Sequence, residues 1–128
     1  MADLISYEDA SEEVRTVYDD IKRTRKIDQV SNFWMAIAKH PPTLRRTWES
    51  LKEIMVDGAL EIRFKEMIYL AISINNGCEY CQVSHGVAAR KAGMTEEMFG
   101  ELMAVVAMAN ETNKLAEGYS VPVDDALA

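Results

Sequence analysis

The spacing of apolar residues along the chain is helical almost from end to end. Val14, Val17, Tyr18 and Ile21 follow one another at intervals of three or four residues, which places them on one face of a helix. No segment sustains the alternation of apolar and polar residues that marks a half-buried strand. We therefore expect an all-α fold, a bundle of several helices.

Breaks in this spacing divide the chain into predicted helices. Pro41-Pro42 ends the second of them, because the residue before a proline disfavours helical backbone, and we expect His40 to cap that end rather than to act in catalysis. Gly58 and Gly93 mark later breaks. The predicted helices run from Asp9 or Ser11 to Lys26, from Asn32 to Lys39, from Pro42 or Thr43 to Asp57, from about Glu61 to Asn75, from about Cys78 to Ala92, and from Thr95 to near Tyr119.

Two of these helices carry apolar residues that should be buried. From Met67 to Ile74 the chain is apolar nearly all round, so we expect a central helix that is covered on most of its faces. The last helix repeats apolar residues at helical intervals, and these should form its core stripe: Met98, Leu102, Val105, Met108 and Ala109.

Composition and charge restrict the class of protein. The 128 residues, 48% apolar and 27% charged, are ordinary for one globular domain over residues 1–128. A net charge of −7 makes nucleic acid or an anionic membrane surface an unsuitable partner. Met1–Ser6 lacks the basic and apolar regions of a signal peptide, and no apolar run is long enough to span a membrane. We expect a soluble cytoplasmic protein, in which a close cysteine pair is catalytic or binds metal.

Candidate chemistry is concentrated after Asn76-Gly77, where both cysteines and one histidine follow within nine residues. On one helix, Cys78, Cys81 and His85 fall within about 60° of one another. Cys81 and His85 are four residues apart, so the imidazole can accept the proton of the thiol. Cys78 lies in the first turn, where free backbone amides and the helix dipole favour an anion. Both sulfurs are candidates for thiolate chemistry.

Glu66 lies on the preceding predicted helix. Helical spacing places its side chain on the same face as those of Tyr69, Leu70 and Ser73. A carboxylate beside an apolar run needs a partner. Either Arg63 or the imidazole and thiols of the next helix can supply one, and the sequence leaves both possibilities open.

Four kinds of site could use these cysteines and the nearby histidine, and three of them fit this sequence poorly. A zinc site of Cys78, Cys81, His85 and Glu66 lacks the usual second close pair of ligands. A thioredoxin-like module needs strands, and a cysteine hydrolase needs only one thiol. A helical dithiol that reduces a substrate and becomes a disulfide remains.

The spacing of these residues resembles a known family. Glu66, eleven intervening residues and the run Cys78-x-x-Cys81-x-x-x-His85-Gly86 are similar to the signature of the alkylhydroperoxidase D-like proteins, within the carboxymuconolactone decarboxylase family. The resemblance extends over a core of about residues 27–115. It implies an all-helical fold assembled as a homo-trimer or homo-hexamer, with active sites near subunit contacts.

The resemblance also implies a peroxidase activity and a role for each residue. Cys81 would attack the hydroperoxide, Cys78 would form the disulfide, and His85 and Glu66 would relay protons. An external dithiol, thioredoxin-like or lipoyl, would reduce the disulfide, and no metal or organic cofactor would be needed. Tyr80 departs from the family's best-known peroxidase, which has a second histidine between the cysteines.

Two alternatives remain open. The first is a redox-sensing or binding oligomer whose dithiol changes state without efficient turnover. The second is a cofactor-free decarboxylase that uses His85 and Glu66 as base and acid. The decarboxylase branch resembles this fold without the cysteine pair, so Cys78 and Cys81 argue against it.

Overall fold

The computed structural model describes residues 3–128, and these contain α-helices, one 3-10 turn and no strand. The all-α prediction is confirmed. None of the described helices is both long enough and apolar enough to cross a membrane. The helices are α1 (Glu12–Arg25), α2 (Asn32–Ile37), α3 (Pro41–Ile54), α4 (Ile62–Asn76), α5 (Glu79–Lys91) and α6 (Glu96–Gly118), and the 3-10 turn is Asp125–Leu127.

These residues form two compact units, one ending at Val56 and one comprising Asp57–Ala128. The single domain expected over residues 1–128 stays a prediction. Residues 1 and 2, which belong to the Met1–Ser6 segment considered above, lie outside the described part of the chain.

The first unit holds α1, α2 and α3 around an aromatic core. Ser11 caps α1 by accepting a hydrogen bond from the Val14 amide. The apolar stripe of α1 faces the core. The rings of Trp34 and Trp48 meet edge to face at 5.5 Å. The buried core consists of Ala10, Val14, Val17, Tyr18, Ile21, Val30, Trp34, Met35, Ala38, Leu44 and Trp48.

A polar cluster joins α1 to α3 beside this core. The Oδ2 atom of Asp20 accepts hydrogen bonds from Trp48 Nε1 at 2.7 Å and from Lys52 Nζ at 2.8 Å. The donors, Lys52 first and then Trp48, lower the pKa of Asp20 to about 2. The cluster therefore favours the charged carboxylate in the folded state.

The prediction that His40 caps the end of the second helix is wrong. It lies at the N-cap position of α3, where its Nδ1 is 2.7 Å from Thr43 Oγ1, and α2 ends earlier, at Ile37 with Ala38 as its cap. The reason is that a proline fits the first position of a helix, where its missing N–H is not needed. Pro41 therefore opens α3 instead of only ending α2.

The second unit packs α4 against α5 and α6 through a small core. Leu70 on α4 and Ala89 on α5 are buried with Met94, and Met67, Ile74, Met98, Phe99 and Leu102 pack around them. At the end of α5, Arg90 Nε donates to Glu96 Oε1 at 2.7 Å. This bond lowers the pKa of the Glu96 carboxyl.

One burial prediction is wrong in this unit, and a second holds only for the first turns of α6. Only Leu70 and Ser73 of α4 are buried, and Ile68 and Ile72 are 48% and 56% exposed. Met98 and Leu102 of α6 pack against the small core as expected, whereas Val105 and Met108 are 67% and 56% exposed and Ala109 is also exposed. An apolar helix face indicates that some surface covers it. That surface need not belong to the same unit of the same chain.

Candidate active site

The junction between α4 and α5 positions the cysteines. Gly77 ends α4 with φ of +69°, a left-handed conformation that a side chain disfavours. Its amide donates to the Ile74 carbonyl, and the Cys78 amide donates to the Ser73 carbonyl. An added Cβ at Gly77 would meet no atom within 4 Å, so backbone conformation, not space, requires the glycine. The chain then enters α5 at once, with Cys78 as its N-cap.

The two sulfurs are joined to each other at the start of α5. Cys78 and Cys81 form a disulfide, with their Cα atoms 5.3 Å apart. Cys78 Sγ also accepts a hydrogen bond from the Cys81 amide at 3.3 Å. Cys78 was expected in the first turn, and it lies one position earlier, at the cap. Its sulfur therefore contacts one of the free backbone amides that favour an anion at a helix start.

Glu66 is paired with His85, which settles the choice of partner that the sequence left open. His85 Nδ1 lies 2.8 Å from Glu66 Oε2, and the two side chains are only 15% and 12% exposed. Arg63 instead lies 3.9 Å from Glu61 and over the ring of Phe64. A carboxylate only accepts hydrogen bonds, so Nδ1 of the imidazole is the donor, and Nε2 takes no part in this bond.

Close packing of the two helices brings this pair together. Gly86, the residue after His85, is buried, and an added Cβ there would lie 3.3 Å from Arg90 Nη1 and 3.9 Å from Leu70 Cδ1. Gly86 therefore lies where α5 approaches Leu70 of α4. Because Glu66 lies on the adjoining helix, this approach carries the imidazole to the carboxylate.

Tyr69 also belongs to this site, although no role was predicted for it. Its ring is stacked on the imidazole of His85, with centroids 3.6 Å apart and planes inclined by 20°. Glu66 and Tyr69 are three residues apart on α4, a spacing that places both side chains on one face. That spacing is the signal by which sequence reasoning could have included Tyr69.

The same residues were considered above as a zinc site. Within residues 3–128, no group of three or more His, Cys, Asp or Glu side chains is arranged to hold a metal ion. In the disulfide form, both sulfurs are bonded to each other and the imidazole is bonded to Glu66.

A family model for the carboxymuconolactone decarboxylase family matches residues 42–123, which include the whole site. The chain belongs to the carboxymuconolactone decarboxylase family. A solved structure, the alkylhydroperoxidase AhpD core from Rhodospirillum rubrum, is similar to it with 46% sequence identity and a TM-score of 0.85. The alignment covers 90% of this chain and 85% of that one. None of the curated protein sequences matches the chain significantly.

This membership confirms the resemblance read from the sequence and the AhpD-like helical fold. In this member of the carboxymuconolactone decarboxylase family, the four residues singled out in the sequence form two pairs. A disulfide joins Cys78 to Cys81, and a hydrogen bond joins Glu66 to His85. The hydrogen bond expected between the Cys81 thiol and His85 concerns the reduced form and stays a prediction.

Proposed function

We propose that the protein is a thiol-dependent peroxidase that reduces hydroperoxides through Cys78 and Cys81. The observation that carries the proposal is the Cys78–Cys81 disulfide at a helix start, in the same helix pair as the partly buried Glu66–His85 pair. A dithiol that cycles needs such a pair of close sulfurs, and the chemistry needs a nearby group that moves protons. The likeness to an alkylhydroperoxidase AhpD core supports the same activity.

The first half of the proposed reaction forms a sulfenic acid. The Cys81 thiolate attacks one peroxide oxygen of ROOH, the S–O bond forms and the O–O bond breaks. The sulfur is oxidised, and the departing alkoxide takes a proton to leave as ROH. His85 first takes the proton of the Cys81 thiol on Nε2, which gives the thiolate, and then supplies that proton to the alkoxide. Glu66 holds the imidazole by its other nitrogen and stabilises its charged form.

The second half forms the disulfide and regenerates the thiols. The Cys78 thiol, as its thiolate, attacks the sulfenic sulfur of Cys81, and hydroxide leaves with a proton as water. An external dithiol, thioredoxin-like or lipoyl, then reduces the disulfide and becomes a disulfide itself. The cycle therefore requires a reducing compartment such as the cytoplasm, and it uses no metal or organic cofactor.

We also propose that the protein works as a homo-oligomer, a trimer or a hexamer. The exposed apolar residues of α6 support this proposal, because large apolar patches on soluble proteins mark contact surfaces. Val105, Met108 and Leu115 of this helix are 67%, 56% and 51% exposed. A second copy of the chain would cover them.

The peroxidase proposal is tested by comparing Cys81→Ser with Cys78→Ser. Each reduced variant is mixed with one equivalent of an organic hydroperoxide, so that the sulfenic acid is not oxidised further, and the alcohol formed per chain is measured. Cys81→Ser should form none above background. Cys78→Ser should form one equivalent, since its sulfenic acid can form but cannot be resolved, and a sulfenic acid reagent such as dimedone should label it.

The two variants serve as matched controls for each other, because both lose the disulfide. Steady turnover by Cys81→Ser would refute the proposal. Disulfide formation in the unmodified protein without recycling by any dithiol would instead indicate a redox sensor. Activity on an acidic lactone that persists with both cysteines changed to serine would indicate a decarboxylase.

A further inference from the structure

The stacking of Tyr69 on His85 has no use in the reaction steps above. Tyr69 is 37% exposed, while the His85 side chain it covers is 15% exposed. The tyrosine therefore does not serve mainly to fill the core. Its ring lies over one face of the imidazole at 3.6 Å, so it shields that face from water.

A single hydrogen bond does not fix the orientation of an imidazole. The bond from Nδ1 to Glu66 Oε2, 2.8 Å long, holds one point of the ring. The side chain still has two rotatable bonds, Cα–Cβ and Cβ–Cγ, and small rotations about both can keep this hydrogen bond while they tilt the ring and move Nε2. A flat surface against the ring face removes this freedom, because turning would break the stacked contact.

We propose that Tyr69 is a positioning residue that fixes the plane of His85 and thereby the direction of its Nε2 atom. Glu66 fixes the position of the Nδ1 atom, and Tyr69 fixes the plane of the imidazole ring. Both side chains project from one face of α4. The inference deepens the proposed peroxidase function, in which Nε2 exchanges the protons. The stacked arrangement itself can be tested whether or not the protein is a peroxidase.

The contact is also suited to the charge that the imidazole carries during the reaction. The face of a tyrosine ring is electron-rich and attracts a cation placed over it. An imidazolium formed beneath Tyr69 is therefore stabilised by the ring above it as well as by the Glu66 carboxylate. This attraction needs only the aromatic ring, so phenylalanine should replace tyrosine at this position.

The first measurement observes the imidazole directly. The chain has two histidines, so a carbon–proton NMR spectrum of the imidazoles contains two sets of signals, which His40→Gln assigns. Tyr69→Leu should move the His85 signals downfield, since they lose the shielding of the stacked ring. Tyr69→Phe should leave them nearly unchanged. Tyr119→Leu, the same change at an 80% exposed position, is the matched control.

The second measurement observes the chemistry as a function of pH. The rate at which the reduced dithiol is oxidised by a hydroperoxide should fall about 10- to 100-fold in Tyr69→Leu, the usual cost of a misplaced supporting group. The pH dependence of this rate should also change in Tyr69→Leu, because the charged imidazole loses a stabilising contact. Tyr69→Phe should restore both the rate and the profile, whereas a merely structural defect would lower the rate without moving the profile.

The outcomes separate this inference from the proposed function. Unchanged His85 signals in Tyr69→Leu would refute the positioning role even if the protein is a peroxidase. A Tyr69→Phe variant as slow as Tyr69→Leu would also refute it, since the hydroxyl would then be the group that matters. If Cys81→Ser keeps its turnover while the His85 signals respond as expected, the peroxidase proposal fails and the positioning role stands.

Discussion

The pairing of Glu66 with His85 predicts that the two residues act as one unit. We would replace each by glutamine, singly and together, because glutamine keeps much of the side-chain volume and removes the charge of Glu66 and the imidazole of His85. The bond is 2.8 Å long between side chains that are 12% and 15% exposed. A charge-assisted hydrogen bond of this kind contributes about 1.5–3 kcal/mol.

This energy sets the size of the expected effect on rate. Since about 1.4 kcal/mol corresponds to a factor of ten in rate, Glu66→Gln should slow oxidation of the reduced dithiol by about 10- to 150-fold. If Glu66 acts only through His85, changing it in a His85→Gln background should have little further effect. The coupling in the double-mutant cycle should then be about as large as the effect of Glu66→Gln alone.

The assay is single-turnover alcohol formation from an organic hydroperoxide, followed by rapid quenching. His40→Gln, which removes the other histidine, is the control and should keep the full rate. Unfolding of every variant in urea shows whether the fold is retained. Additive losses in the double variant, outside the error of the two single effects, would refute the idea that Glu66 acts through the imidazole.

Two further predictions concern charge and assembly. Asp20→Asn should lower the free energy of unfolding by at most about 2 kcal/mol at neutral pH, because the pKa of Asp20 is lowered from 3.8 to about 2 in the folded chain and its side chain is only 25% exposed. A carboxyl with a lowered pKa stabilises the fold above its unfolded pKa. The difference between the two proteins should therefore shrink as the pH falls from about 4 to about 2 in urea unfolding, and a constant difference would contradict this reasoning. Sedimentation should show the unmodified chain as a trimer or hexamer that Val105→Glu dissociates and Asn110→Glu, on the same helix, does not; a monomeric unmodified chain would refute the proposed assembly.

Local patterns in the sequence determined most of the helices and the candidate site. The break at Asn76-Gly77 predicted the junction before Cys78 because left-handed backbone favours glycine, a preference that does not depend on distant residues. Likewise, the spacing from Cys78 to His85 follows from the pitch of one helix. The fixed offset of Glu66 from this run also identified the family, which the family model and the similar structure confirm.

Only the tertiary structure decided which partner each polar group takes and which apolar faces are covered. Glu66 had two possible partners, and the packing of α4 against α5 selected His85. The same packing stacked Tyr69 on the imidazole, a contact that joins two helices and that no local pattern specifies. Helical periodicity locates an apolar face, but burial depends on what lies opposite, and for this reason α4 and α6 are far more exposed within the chain than their sequences indicated.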